Sequence, residues 1–335
     1  MFEDKNILIT GGTGSLGQAL TKRLLEYDVK TLRIFSRNEK LQVDMKTNFD
    51  DPRLRFLIGD IRDEHRLSRA TEDIDIVFHA AALKHVPLIE HNPSEAILTN
   101  VDGSNNLLNS CVKNNVEKVV GISTDKAVSP LNTYGATKLL MEKLFVSAIN
   151  EYSSKKYKTR FVITRYGNVV ASSGSVIPTF IEQIKNKQKI TITDPEMTRF
   201  SLTMNEVMDF ILSSAEKSIG SEVFIPKMKA YNIMDLKDAL LELIDNPGYE
   251  IINVRVGEKL HESLISKYEI PYTKDLGDRF AILFPQIFNE RSEYSKEIYK
   301  KYENEKSLDS DNEYSSECAE LMSKDELKIM LSQYI

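Results

Sequence analysis

A short apolar run, Asn6-Ile7-Leu8-Ile9-Thr10, stops at Gly11-Gly12-Thr13-Gly14-Ser15-Leu16-Gly17, and apolar residues at helical spacing follow, Leu16, Ala19, Leu20, Leu24 and Leu25. No other feature constrains the fold as tightly. The glycine stretch satisfies both GxGxxG and GxxGxxG, and it lies between a strand and a helix. Its glycines permit a tight turn and close backbone approach, and the helix N-terminus behind it can meet a pyrophosphate. The alternative is a glycine turn with no ligand. Strand patterns recur at Thr31–Ser36, Leu54–Gly59, Ile74–Ala80, Val116–Ser123 and Thr159–Arg165, with helix candidates Arg62–Thr71, Pro93–Asn114 and Thr133–Tyr152 between them. This alternation predicts an α/β fold, a doubly wound parallel sheet with helices on both faces.

After about Asn168 the rhythm loosens, and Pro178, Pro195, Pro226 and Pro247 punctuate shorter segments. Residues 1–168 therefore read as a nucleotide-binding domain to which later segments return. Residues 169–335 read as a smaller, interleaved substrate-binding region with a C-terminal tail. Asn289–Ser316, dense in Glu, Lys, Ser, Asp and Tyr, predicts a solvated connection before a terminal helix at Ser323–Ser332. No internal repeat is evident.

Composition narrows the class. The 335 residues carry 44 Lys+Arg against 50 Asp+Glu, a net charge of -6, with 41% hydrophobic residues, which excludes a disordered chain and a general basic footprint for nucleic acid. Cys111 and Cys318 lie far apart without metal-ligand spacing, which argues against a disulfide framework or zinc site and for a reducing, cytoplasmic compartment. His79, His85, His91 and His261 are too scattered to argue a metal and read as packing or capping residues. The N-terminus lacks a signal-peptide pattern, and no apolar run approaches the roughly 18 residues of a membrane span, so a soluble, unprocessed protein is expected.

At the end of the second strand pattern, where an acidic residue would bind a ribose 2′-hydroxyl, stand Ser36-Arg37, followed by Lys40. A hydroxyl and two cations suit a 2′-phosphate and hence NADP, although Arg37 and Lys40 also fit an ordinary solvated face. Asp60-Ile61 follows the third strand, where the carboxylate can accept from an adenine amino group or cap a helix. Further on, Ser123-Thr124-Asp125-Lys126 closes a strand and precedes Tyr134-Gly135-Ala136-Thr137-Lys138. Tyr and Lys at i and i+4 share a helix face, so the ammonium can lower the tyrosine pKa and make Tyr134 a base. Thr124, ten residues earlier, can bond the oxygen being oxidised.

Joined to the glycine turn in this order, these residues resemble the extended short-chain dehydrogenase/reductase family, with its Rossmann fold. Asp125-Lys126 exceeds what oxidation alone needs: elimination of water requires a further base for a carbon-bound proton and an acid for the leaving hydroxyl. A strand-end ion pair is the simpler use of the same two residues. The motifs Thr10–Gly17, Ser36–Gln42, Gly59-Asp60, His79–Pro87, Ser123–Ala127, Tyr134–Lys138, Arg165–Val169, Gly174–Pro178, Met197–Phe200 and Gly257–Glu262 together resemble the UDP-N-acetylglucosamine 4,6-dehydratases, in the short soluble C5-inverting form.

The resemblance implies Lys126 as the C5 base, Asp125 as the acid at O6, and Tyr134 and Lys138 at the nicotinamide end. It implies Gly11, Thr13, Gly14, Ser15, Leu16, Gly17, Ser36, Arg37, Lys40, Asp60, Ile61, Ala80, Lys84, Asn100, Tyr134, Lys138 and Val169 around NADP. Lys84, Asn168, Arg199, Arg255 and Glu258 would surround the UDP-hexose, and a homo-oligomer without membrane contact is expected. Arg199 and Arg255 offer forks suited to a diphosphate, or to structural salt bridges. The sequence departs from the family at Ser173, where Arg is usual, and at Lys40, displaced by one residue. A UDP-sugar 4-epimerase and a catalytically silent NADP-binding regulator are the rival readings.

Overall fold

The computed structural model describes residues 1–152, 158–170, 175–254, 257–284, 293–310 and 312–335. Six parallel strands form its centre: β1 (Asn6–Thr10), β2 (Thr31–Ser36), β3 (Leu54–Ile58), β4 (Ile76–His79), β5 (Lys118–Ile122) and β6 (Arg160–Thr164). Every residue of β4 and β5 is buried, which is why they read as continuous apolar runs and not as alternating ones. The spatial order is β3-β2-β1-β4-β5-β6, so the winding direction reverses between β1 and β4 and opens a crevice at their C-terminal ends. The doubly wound Rossmann sheet expected from the sequence is present.

Connecting these strands are α1 (Ser15–Leu24), α2 (Glu39–Phe49), α3 (Glu64–Ala70), α4 (Val86–Glu90), α5 (Pro93–Ala96), α6 (Gly103–Lys113) and α7 (Thr133–Tyr152). The span Pro93–Asn114, expected as one helix, is interrupted by a π-helical segment at Ile97–Asp102. The unforeseen α2 begins at Asn38, whose side chain accepts from the Leu41 amide at 3.0 Å.

The later chain contributes β7 (Asn168–Val169), α8 (Val176–Lys185), β8 (Ile190–Ile192), β9 (Thr198–Leu202), α9 (Met204–Lys217), β10 (Val223–Pro226), β11 (Ala230–Asn232), α10 (Ile233–Leu243), β12 (Tyr249–Ile251), β13 (Ser263–Ile265), β14 (Thr273–Asp275), β15 (Arg279–Ile282), α11 (Glu293–Tyr302), β16 (Lys306–Ser307), β17 (Tyr314–Ser315) and α12 (Lys324–Leu331). Strand β10 pairs parallel to β6, and β15, β14 and β16 extend the sheet antiparallel. A second apolar cluster, including Ile177, Phe180, Ile190, Leu236, Leu240, Leu327 and Leu331, packs α8, α10 and α12 together.

The solvated connection expected at Asn289–Ser316 is largely exposed in its described part, but it is not structureless. Its described part holds α11, β16 and β17, with Ile298, Tyr302 and Ser316 buried. Charged residues there face outward at helical spacing while Ile298 and Tyr302 pack inward with Leu283, a pattern too short to outweigh the composition. Among the described residues no helix is long and apolar enough to cross a membrane.

Candidate active site

A cavity of about 910 Å³ runs along the C-terminal ends of the parallel strands. One end is the glycine turn. Gly11 holds φ +67°, and a Cβ there would lie 2.7 Å from the Ala81 amide nitrogen, so the turn between β1 and α1 packs directly on the loop after β4. Gly14 occupies the N-cap of α1 with no side-chain cap, which leaves this helix end suited to an anion. Gly11, Thr13, Gly14, Ser15, Leu16, Gly17, Ser36, Arg37, Asp60, Ile61, Ala80, Lys84 and Val169 all line the cavity. The residues present fit a dinucleotide.

Several expected contacts fall elsewhere. Lys40 is exposed on α2 and does not line the cavity, whereas Asn38, the cap of that helix, and Leu41 do. Asn100 stands behind the wall: its Oδ1 accepts from the Leu83 amide at 2.8 Å, and its Nδ2 donates to the Leu83 carbonyl and Thr137 Oγ1. Its amide is spent on positioning the loop that carries Ala80–Lys84. Asp60 is not a helix cap, since Asp63 caps α3. Asp60 Oδ2 instead receives Arg62 at 2.7 Å and lies 3.6 Å from Arg37. His79, between Thr10 Oγ1 and Ser104 Oγ, is a buried packing residue kept neutral, its pKa pushed down by burial to about 3.

In the middle of the cavity the strand end of β5 meets the start of α7. A Cβ on Gly135 would lie 2.0 Å from the Lys126 carbonyl oxygen, so only glycine lets the turn Asp125–Ala127 sit against the first turn of α7. This contact brings Thr124 and Lys126 beside Tyr134. Asn132 holds the same helix start, accepting from the Gly135 amide at 2.8 Å and donating to the Gly257 carbonyl at 3.0 Å.

Thr124, Lys126, Tyr134 and Lys138 line the wall. Asp125 lies one layer behind it and is 1% exposed; its Oδ1 accepts from Thr124 Oγ1 at 2.8 Å and from Lys126 Nζ at 3.1 Å. Tyr134 pairs with Thr124 by a hydrogen bond, yet burial pushes its pKa up to about 12, with Lys126 the cation opposing the rise. The expected lowering by Lys138 is therefore corrected. Lys138 Nζ turns instead to the Ile122 carbonyl at 2.5 Å, and burial brings its own pKa down to about 8. Lys126 is held as an ammonium, because Asp125 and Glu262 outweigh its desolvation.

The far end is built from β7, β9 and residues 257–262. Asn168 and Glu258 line the cavity, and Asn168 hydrogen-bonds Tyr231. Arg199 also lines it, but its Nη1 donates to the carbonyls of Thr198 and Leu260 and its Nη2 to that of Lys259, with Glu258 Oε1 3.6 Å away. Its fork pins the 258–262 segment to β9 and is not presented free to a diphosphate. Arg255 and Ser173 lie outside the described residues. Glu262, which the sequence presents only as the last residue of the Gly257–Glu262 motif, lines the cavity, is 3% exposed, and has its Oε1 3.2 Å from Lys126 Nζ. Nothing local marks it, since the two residues are brought together across 136 positions of chain.

A glycine cradle at a helix N-terminus and a Thr/Tyr/Lys set on one continuous cavity are the arrangement of an extended short-chain dehydrogenase/reductase. Within that class the chain belongs to the family described as Polysaccharide biosynthesis protein, whose pattern matches residues 7–283. It is 48% identical over 284 residues, 84% of each chain, to a Campylobacter jejuni protein named UDP-N-acetylglucosamine 4,6-dehydratase (inverting). It is 45% identical over 287 residues, again 84% of each chain, to a Rickettsia bellii protein named UDP-glucose 4-epimerase. The X-ray structure of Pen from Bacillus thuringiensis superposes with a TM-score of 0.90 at 38% identity, covering 100% of this chain and 99% of that one.

Proposed function

We propose that this protein is an NADP-dependent UDP-N-acetylglucosamine 4,6-dehydratase that inverts C5, acting in the synthesis of surface or nonulosonate sugars. The observation that carries the reading is the joining, in one cavity, of the glycine cradle and Tyr134 with Lys126, behind which lies Asp125. Ser36 and Arg37, with no carboxylate at the end of β2, support a 2′-phosphate. When bound, the nicotinamide would accept hydride from C4 and return it to C6.

Tyr134, once it has released its own phenol proton to solvent, takes the O4 proton as the phenolate, and Thr124 orients that oxygen. A 4-ketone acidifies the neighbouring C5 hydrogen. Lys126, which lines the cavity, removes it once its ammonium has released a proton to solvent. Asp125 supplies the proton for the departing O6 hydroxyl, and C5 takes a solvent-derived proton on its other face as the hydride is returned to C6.

The test is NMR of product formed from UDP-N-acetylglucosamine in deuterated water. A product without its 6-hydroxyl, carrying solvent deuterium at C5, is expected, and Lys126→Ala should abolish it while NADP binding remains. A product that keeps its 6-hydroxyl and changes only at C4 would establish the epimerase reading, which the Rickettsia relative's name supports.

A further inference from the structure

Two carboxyl groups share a single ammonium at the cavity wall. Asp125 Oδ1 and Glu262 Oε1 lie 3.1 and 3.2 Å from Lys126 Nζ, so the two oxygens are at most about 6.3 Å apart. Both side chains are buried, and each keeps one oxygen, Asp125 Oδ2 and Glu262 Oε2, without a partner. Two buried carboxylates this close raise one another's pKa, so the pair favours a state in which one keeps a proton.

The surroundings decide which. Asp125 faces Lys126 in its own turn, Tyr134 of α7, Tyr231 of β11, and Lys259 and Glu262 of the facing segment; Glu262 faces Lys126, Arg199 and Lys259. Glu262 has the cations, and its pKa is lowered. Asp125 is pushed up by burial and by Glu262. Both donors to Asp125 converge on Oδ1, which leaves Oδ2 for a proton.

We propose that Glu262 is the resting counter-ion of Lys126 and so a positioning residue that keeps Asp125 protonated, ready to act as the acid of the elimination. This rests on the dehydratase reading above. The position of Glu262 is set from far along the chain: its amide donates to Ser316 Oγ at 2.9 Å, and the Ser316 amide donates to its carbonyl at 2.7 Å.

Infrared difference titration of the full-length protein tests the assignment without turnover. The unaltered protein should show a protonated carboxyl band at neutral pH that is missing from Asp125→Asn. In Glu262→Gln, Asp125 becomes the sole counter-ion, and the midpoint of that band should fall by about one to two pH units, the interaction expected of two such charges at this separation. The alkaline limb of dehydration should move down by the same amount, whereas Glu262→Asp, which keeps the charge, should restore the original limb. An unshifted band in Glu262→Gln, or activity reduced equally at every pH, would overturn the proposal. If the unaltered protein fails to dehydrate the sugar, the dehydratase reading falls, while the band still decides the counter-ion.

Discussion

Arg165 is completely buried, and all five of its N–H groups are used. Nε and Nη2 donate to the two oxygens of Glu142 at 2.9 and 2.6 Å, Nη1 and Nη2 donate to Glu269 at 3.1 and 2.9 Å, and Nη1 also donates to the Leu264 carbonyl at 2.9 Å. The network ties β6 to α7, where Glu142 follows Lys138 by one turn, and to the segment after β13. Arg165→Met keeps the volume and strands two buried carboxylates, which should cost about 3–5 kcal/mol at pH 7, a large share of the roughly 5–15 kcal/mol that holds a typical domain. Urea denaturation followed by circular dichroism measures the loss.

The pH dependence has a fixed sign. Although burial opposes it, Arg165 is the main group holding the Glu269 pKa below its ordinary value. In the unaltered protein this carboxylate contributes stability above its unfolded pKa of about 4.3, and the contribution is lost as pH falls through the lower folded value. In Arg165→Met, burial without a cation places the folded pKa above the unfolded one, so the penalty is largest at neutral pH and fades on acidification. The two proteins should therefore converge towards pH 4. Adding Glu142→Leu and Glu269→Leu to Arg165→Met should give a protein more stable than the single variant. A loss below about 1 kcal/mol at pH 7, or a gap that does not narrow with acid, would refute the reasoning.

Two further outcomes follow from the site. Gly135→Ala places a methyl 2.0 Å from the Lys126 carbonyl oxygen, so the turn must move off α7; activity should fall by at least about a hundredfold, while cofactor affinity measured by fluorescence titration changes far less. Arg37→Asp should weaken NADP binding by about tenfold to a hundredfold relative to NAD, the worth of a charge-assisted contact, and equal affinities in the unaltered protein would remove its basis.

The sequence alone was enough for the positions of the first six strands along the chain, the glycine turn and the helix Thr133–Tyr152 with Tyr134 and Lys138 one turn apart, because periodicity and turn chemistry are properties of neighbouring residues. It also carried the family. What it could not contain was electrostatics. Tyr134 reads from spacing as a tyrosine activated by Lys138, but burial raises its pKa and the Lys138 ammonium is taken by the Ile122 carbonyl. Arg199 reads equally as a diphosphate fork or as a structural salt bridge, and only the fold shows three backbone carbonyls accepting from it. The charged stretch before the terminal helix reads as solvated, although it supplies β16 to the main sheet and Ser316 to the placement of Glu262. Glu262 itself meets Lys126 only because the fold returns a segment 136 residues later to the same strand end. Local structure follows from local pattern, whereas a proton's position depends on which charges the chain brings within a few ångströms, and only tertiary packing decides that.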